Sequence, residues 1–163
     1  MTAMRFRLAT PATLLAFATA ACDPGFTMTL RQPLGPAPEA ACVARTLSTS
    51  RFVSQSWTGA ENGFGVTLRD GAGRTWSATL ELLRPRRDSA HVASVRYNYL
   101  LYSRPGADEE PGMVAAAAGL LGELRAACAP ASAPAVECAT QGAPVAACAA
   151  VGRAPLGEER SRP

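Results

Sequence analysis

Five cysteines, Cys22, Cys42, Cys128, Cys138 and Cys148, constrain this chain more than any other feature, because they decide which distant segments can be tied together. In an oxidising compartment an odd count leaves one thiol without a mate. The N-terminus points to such a compartment. Arg5 and Arg7 precede an apolar run, Leu14-Leu15-Ala16-Phe17, which ends in the small residues Ala18 to Ala21. A positive start, a short apolar stretch and small residues at its end form the layout of an export signal. The run falls short of the ~20 residues that a membrane span needs.

Thr19-Ala20-Ala21-Cys22 resembles the lipobox of bacterial lipoproteins, with threonine where leucine is usual. The resemblance covers residues 1–22 only. It implies a signal peptide over 1–21, acylation of Cys22, and firm residence on an envelope membrane, inner or outer, facing the periplasm, since several acyl chains hold where one does not. It also implies that Asp23 would act as an inner-membrane retention signal if the enteric rule applies. A second reading stays open. Ala18-Thr19-Ala20 also fits the A-x-A rule, and a cut before Ala21 would give a soluble secreted protein.

With Cys22 lipidated, four cysteines remain, enough for two disulfides. Cys42 lies beside Val43 and Leu47, and Cys128 shares a helical stripe with Leu121 and Leu124. If both helices cover one side of a sheet, Cys42 and Cys128 can meet, leaving Cys138 to pair with Cys148. That pairing is preferred here; four cysteines allow two others. A zinc site is the competing use of these thiols. The C-x9-C-x9-C spacing of Cys128, Cys138 and Cys148 lacks the close C-x2–4-C pairs that preorganise zinc.

The hydrophobic pattern predicts a small α+β domain over residues 38–128. Residues 22–37, rich in proline and glycine, read as a tether from the anchor. A helix is expected from Pro38 to Leu47. Strands are expected at Arg51–Trp57 (weakly), at Phe64–Leu68 and at Thr75–Leu82, with Asp70-Gly71-Ala72-Gly73 as the hairpin turn between the last two. A further strand, His91–Tyr102, follows a break at Pro85–Asp88. Met113, Ala117, Leu120, Leu121, Leu124 and Cys128 then mark one stripe of a helix from Pro111 to Ala127. The expected architecture is an antiparallel meander of three or four strands, with an N-terminal and a C-terminal helix on one face. Residues 129–163, rich in alanine and proline, read as a largely disordered tail, apart from whatever Cys138 and Cys148 close.

Composition excludes several functions. All sixteen basic residues are arginine, so Schiff-base chemistry and a P-loop lysine are ruled out. Lysine and isoleucine are absent and asparagine is scarce. All three have codons rich in A and T, so the arginine content reflects a GC-rich genome. Without Arg5 and Arg7, fourteen arginines against thirteen acids leave +1, which does not suit nucleic acid. The basic cluster Arg84, Arg86 and Arg87 reads as a solvated loop tip. The single histidine, His91, opens a strand and reads as structural. Asp108-Glu109-Glu110 sits where carboxylates are favoured, just ahead of a helix.

No cofactor, metal site or catalytic residue is expected from these features. The functional expectation is a lipid-anchored structural or partner-binding module of the cell envelope. The polar face of the last expected strand, with Val92, Arg96, Leu100 and Tyr102, is the surface expected to hold a protein partner. The competing expectations are a small apolar ligand held between sheet and helices, which needs an internal cavity, and a two-carboxylate hydrolase, whose acids meet only in the fold.

Overall fold

The computed structural model describes residues 27–59, 63–83, 91–98, 105–132, 135–141 and 146–151. Within them the chain is α+β. Six strands form one antiparallel sheet in the order β2-β3-β4-β5-β1-β6. In chain order the elements are β1 (Thr27–Gly35), α1 (Ala40–Thr49), β2 (Val53–Thr58), β3 (Gly63–Arg69), β4 (Thr75–Leu83), β5 (His91–Asn98), α2 (Glu110–Cys128), β6 (Glu137–Gln141) and α3 (Ala146–Val151).

The expected meander is β2 to β5, and its hairpin is built as the sequence implies. Asp70 Oδ1 accepts the backbone N–H groups of Ala72 and Arg74 at 3.0 and 2.9 Å. Gly73 takes a φ of +83°, which glycine adopts without steric cost. Register then follows the pattern of period two. Phe64, Val66 and Leu68 lie opposite Leu80, Ala78 and Trp76, and Leu80 lies opposite Val95. These side chains form the sheet half of the core, on the face that α2 covers.

Two strands add to the expected three or four, and both correct the sequence reading. Residues 27–35 are not tether; they form β1, which pairs with β5 on one side and β6 on the other. Met28, Leu30 and Leu34 are fully buried. Their alternation is disguised by Gln32 at a core-facing position, where its Nε2 donates to the Pro33 carbonyl at 3.2 Å. Pro33 is tolerated because β6 pairs only with Thr27–Arg31, so β1 has a neighbour on one side alone at that point.

The sixth strand lies in the tail, around the loop that Cys138 and Cys148 close. The tail's described residues include β6 and α3, joined by a Cys138–Cys148 disulfide with Cα atoms 5.3 Å apart. Cys138, Val136, Ala147 and Val151 pack against the core, and Cys148 is buried in it. So few residues fold because the bridge closes a ten-residue loop and β1 offers an edge to pair with.

α2 carries the other half of the core. Met113, Val114, Ala116, Ala117, Leu120, Leu121 and Leu124 are all buried, and each large side chain contributes about 1.5–3 kcal/mol by leaving water. The Cys42–Cys128 disulfide, with Cα atoms 5.9 Å apart, locks α1 to the C-terminal end of α2. At the other end of α2 the β3–β4 hairpin docks. Arg74 donates from Nε to Asp70 Oδ2 at 2.8 Å and from Nη1 to the Asp108 carbonyl at 3.2 Å. A Cβ at Gly112 would stand 2.6 Å from Asp70 Oδ2 and 2.8 Å from Arg74 Nη2, so a bare backbone there permits the approach.

Candidate functional site

The described helices pack on one face of the sheet, where Met28, Leu30, Val66, Leu80, Val95, Met113, Leu120 and Leu124 fill the space between the layers. The other face is polar, and the register fixes its order. One row crosses five strands: Trp57 of β2 lies opposite Gly65 of β3, Gly65 opposite Thr79, Thr79 opposite Arg96, and Arg96 opposite Thr29. A parallel row runs Gly63, Glu81, Ser94, Arg31 and Glu137.

Trp57 begins the first row and is the one large apolar side chain that is exposed, at 52%, among the described residues. Its indole lies over Gly65, where a Cβ would overlap Cε2, Cζ2 and Nε1 of the ring. Neither cation–ring contact among the described residues involves it; those join Arg51 to Phe52 and Arg74 to Trp76. Beside the ring, a cleft of about 420 Å³ opens, lined by Trp57, Gly63, Gly65, Thr79, Glu81 and Leu83 among others. Its polar end is Glu81, whose carboxylate stands 3.4 Å from Arg96 Nη2. Both partners are partly exposed, so solvent screens the pair and its worth is a fraction of a kcal/mol.

Ser94, between Glu81 and Arg31 in the second row, is fully buried, and its hydroxyl has no hydrogen-bond partner. Leaving such a group unpaired costs on the order of 1–3 kcal/mol.

The residues singled out in the sequence fall into three groups. Val92 and Arg96 lie on the helix-free face of β5, both half-buried. Leu100 and Tyr102, expected beside them, lie outside the described residues, as do Cys22 and the Arg84–Arg87 turn. The four disulfide cysteines are joined as 42–128 and 138–148. His91 opens β5 opposite Gly35, away from the cleft. Asp108 and Glu109 form the turn before α2, where Glu109 Oε2 accepts the Gly106 N–H at 3.4 Å. Among the described residues, no group of three or more His, Cys, Asp or Glu is placed to hold a metal ion, and no helix is long and apolar enough to cross a membrane.

Trp57 was not singled out from sequence as a functional residue. Its signal was nonetheless present: a lone tryptophan after Ser54-Gln55-Ser56 sits in a strand with almost nothing else apolar, so its burial is not guaranteed by periodicity.

No protein-family model matches the chain, and no curated protein or solved structure is similar to it. The class that the described residues define is an α+β domain, with an open six-stranded antiparallel sheet, three helices and two disulfides among them.

Proposed function

We propose that this chain is a binding module of the cell envelope, held at a membrane by lipid on Cys22 and working through the helix-free face of its sheet. The observation that carries the binding half is Trp57. A half-exposed indole set on glycine beside a cleft offers an apolar plate and a recess with polar groups in one place, the combination that a ligand or partner can occupy. Binding is favoured over catalysis because Glu81 is the one carboxylate among the described cleft residues. A hydrolase of the two-carboxylate kind needs a second.

The lipid half rests on the lipobox-like Thr19-Ala20-Ala21-Cys22 and on cysteine parity. With 42–128 and 138–148 joined, Cys22 is the cysteine left over. Mass spectrometry of the mature N-terminus tests it. A mass for acylated Cys22, with the full chain entering the detergent phase of a Triton X-114 partition and Cys22→Ser remaining aqueous, is the expected result. An unmodified N-terminus at Ala21 would make the protein a soluble secreted one instead. For the binding half, a photo-crosslinker placed at Thr79 in intact envelopes should become joined to one consistent envelope component, protein or glycan; capture of neither above background would count against it.

A further inference from the structure

We infer that the row Trp57–Gly65–Thr79–Arg96, together with Glu81, is a binding site for a neutral glycan chain laid across the strands. The inference rests on the reading of the helix-free face as the working surface, and it names the ligand class.

The indole presents an open π surface fixed by Gly65, and it accepts the C–H face of a ring without requiring charge. Within the same cleft, the Thr79 hydroxyl and the Glu81 carboxylate supply a donor–acceptor and a strong acceptor. Arg96, beside Thr79 in register and 3.4 Å from Glu81, adds donors. An aromatic plate next to groups that hydrogen-bond in both senses matches a sugar ring, which is apolar on its faces and hydroxylated around its rim.

Charge decides against the other ligands an indole can hold. Along the two rows, Glu81 is matched by Arg96 and Glu137 stands opposite Arg31, so the described residues of the track carry no net charge. An anionic polymer would find no surplus of arginine among them. A quaternary ammonium could stack on Trp57, but the nearby carboxylate is already matched by Arg96. Length favours a chain over a single ring: from Trp57 to Thr29 the first row crosses four inter-strand gaps, about 19 Å.

The test titrates the purified full-length protein in detergent with neutral tetrasaccharides of β1,4-linked N-acetylglucosamine, β1,4-linked glucose and α1,4-linked glucose. Choline and polyphosphate serve as charged probes. Trp76 is only 7% exposed, so a change in tryptophan emission reports mainly on Trp57. At least one neutral tetrasaccharide should give a saturable change with a Kd of roughly 0.1–1 mM, unaltered by 0.5 M salt on the ordinary screening argument. Trp57→Ala should abolish binding in calorimetry. The double variant Thr79→Val with Glu81→Gln should weaken it at least fivefold while keeping the parental circular dichroism and Tm.

Three outcomes overturn the inference: a response to choline or polyphosphate alone, undiminished saccharide binding in folded Trp57→Ala, or no saccharide binding up to about 10 mM. If the Thr79 crosslinker captures a protein while no saccharide binds, the glycan inference fails and the binding face stands. Detergent partition reads the anchor independently of either.

Discussion

The Trp57 indole lies across Gly65 on the neighbouring strand, and a single β-carbon at that glycine would stand inside the ring. The pair sets the wall of the cleft and its floor together. Gly65→Ala should therefore displace the indole without unfolding the domain. The expected loss is about 1 kcal/mol, at the low end of the overpacking range because an exposed ring can swing away. Urea denaturation gives the stability change, and a shifted tryptophan emission maximum reports the displaced ring. An unchanged spectrum and midpoint would mean that the two residues are not stacked.

Two glycines in α2 should respond differently to the same substitution. A Cβ at Gly122 meets nothing within 4 Å, so Gly122→Ala should stabilise by up to ~1 kcal/mol through helix propensity. A Cβ at Gly119 would stand 2.4 Å from Phe52 Cζ, and the half-buried ring would have to move. Gly119→Ala should therefore be neutral to destabilising despite the same propensity gain. Thermal melts of the two variants, measured side by side, check the sign.

The two disulfides should differ in what they hold. The chain-entropy account gives about 4.5 kcal/mol for the 86-residue span of Cys42–Cys128 and about 2.5–3 kcal/mol for the ten-residue span of Cys138–Cys148. Replacing Cys42 and Cys128 by alanine should lower the global midpoint. Replacing Cys138 and Cys148 should chiefly raise hydrogen exchange in β6, α3 and the β1 amides facing β6. Equal loss of protection throughout the sheet in the second variant would contradict this division.

β1 offers a direct test of its place in the sheet. Leu30 is fully buried between Val95 and Cys138 in register. Leu30→Ala should cost about 2–5 kcal/mol, whereas the same change in a tether would cost nothing measurable. Chemical denaturation distinguishes the two directly.

Asp70 should shape the acid limb of stability. Desolvation raises its pKa, but the hydrogen bond from the Arg74 side chain, those from the Arg74 and Ala72 backbone and the Arg74 charge outweigh it, so it lies below its ordinary 3.8. A carboxylate whose pKa is lower folded than unfolded stabilises above the unfolded value, and the contribution is lost as pH falls through the folded one. Stability should therefore decline below about pH 4, and Asp70→Asn should flatten that decline while lowering stability at neutral pH. A variant with an unaltered acid limb would show that the hairpin carboxylate is uncoupled from folding.

Much of this architecture is legible in the pattern of residues. Thr75 to Leu82 alternates cleanly, Asp70-Gly71-Ala72-Gly73 can hardly be anything but a turn, and the Met113-to-Cys128 stripe has helical spacing. The four strands and two helices expected from these signals are β2 to β5, α1 and α2. β1 was hidden because Gln32 and Pro33 interrupt its alternation; Gln32 Nε2 is satisfied on the Pro33 carbonyl, and Pro33 is tolerated because β6 pairs only as far as Arg31. β6 was hidden because five residues of Glu-Cys-Ala-Thr-Gln have little strand propensity of their own. The Trp57 cleft was hidden because which tryptophan is buried depends on which face the helices cover.

The sequence by itself determined β2 to β5, α1 and α2, the small net charge and the odd cysteine count, since each depends on residues close in the chain or on a count. The tertiary structure decided the cysteine partners, the insertion of an apparent tether as a strand between β5 and β6, and the assembly of Trp57, Gly65, Thr79, Glu81 and Arg96 on one face. Those relations join residues as distant as Thr27 and Gln141, through register and packing rather than through any pattern that neighbours in the chain can carry.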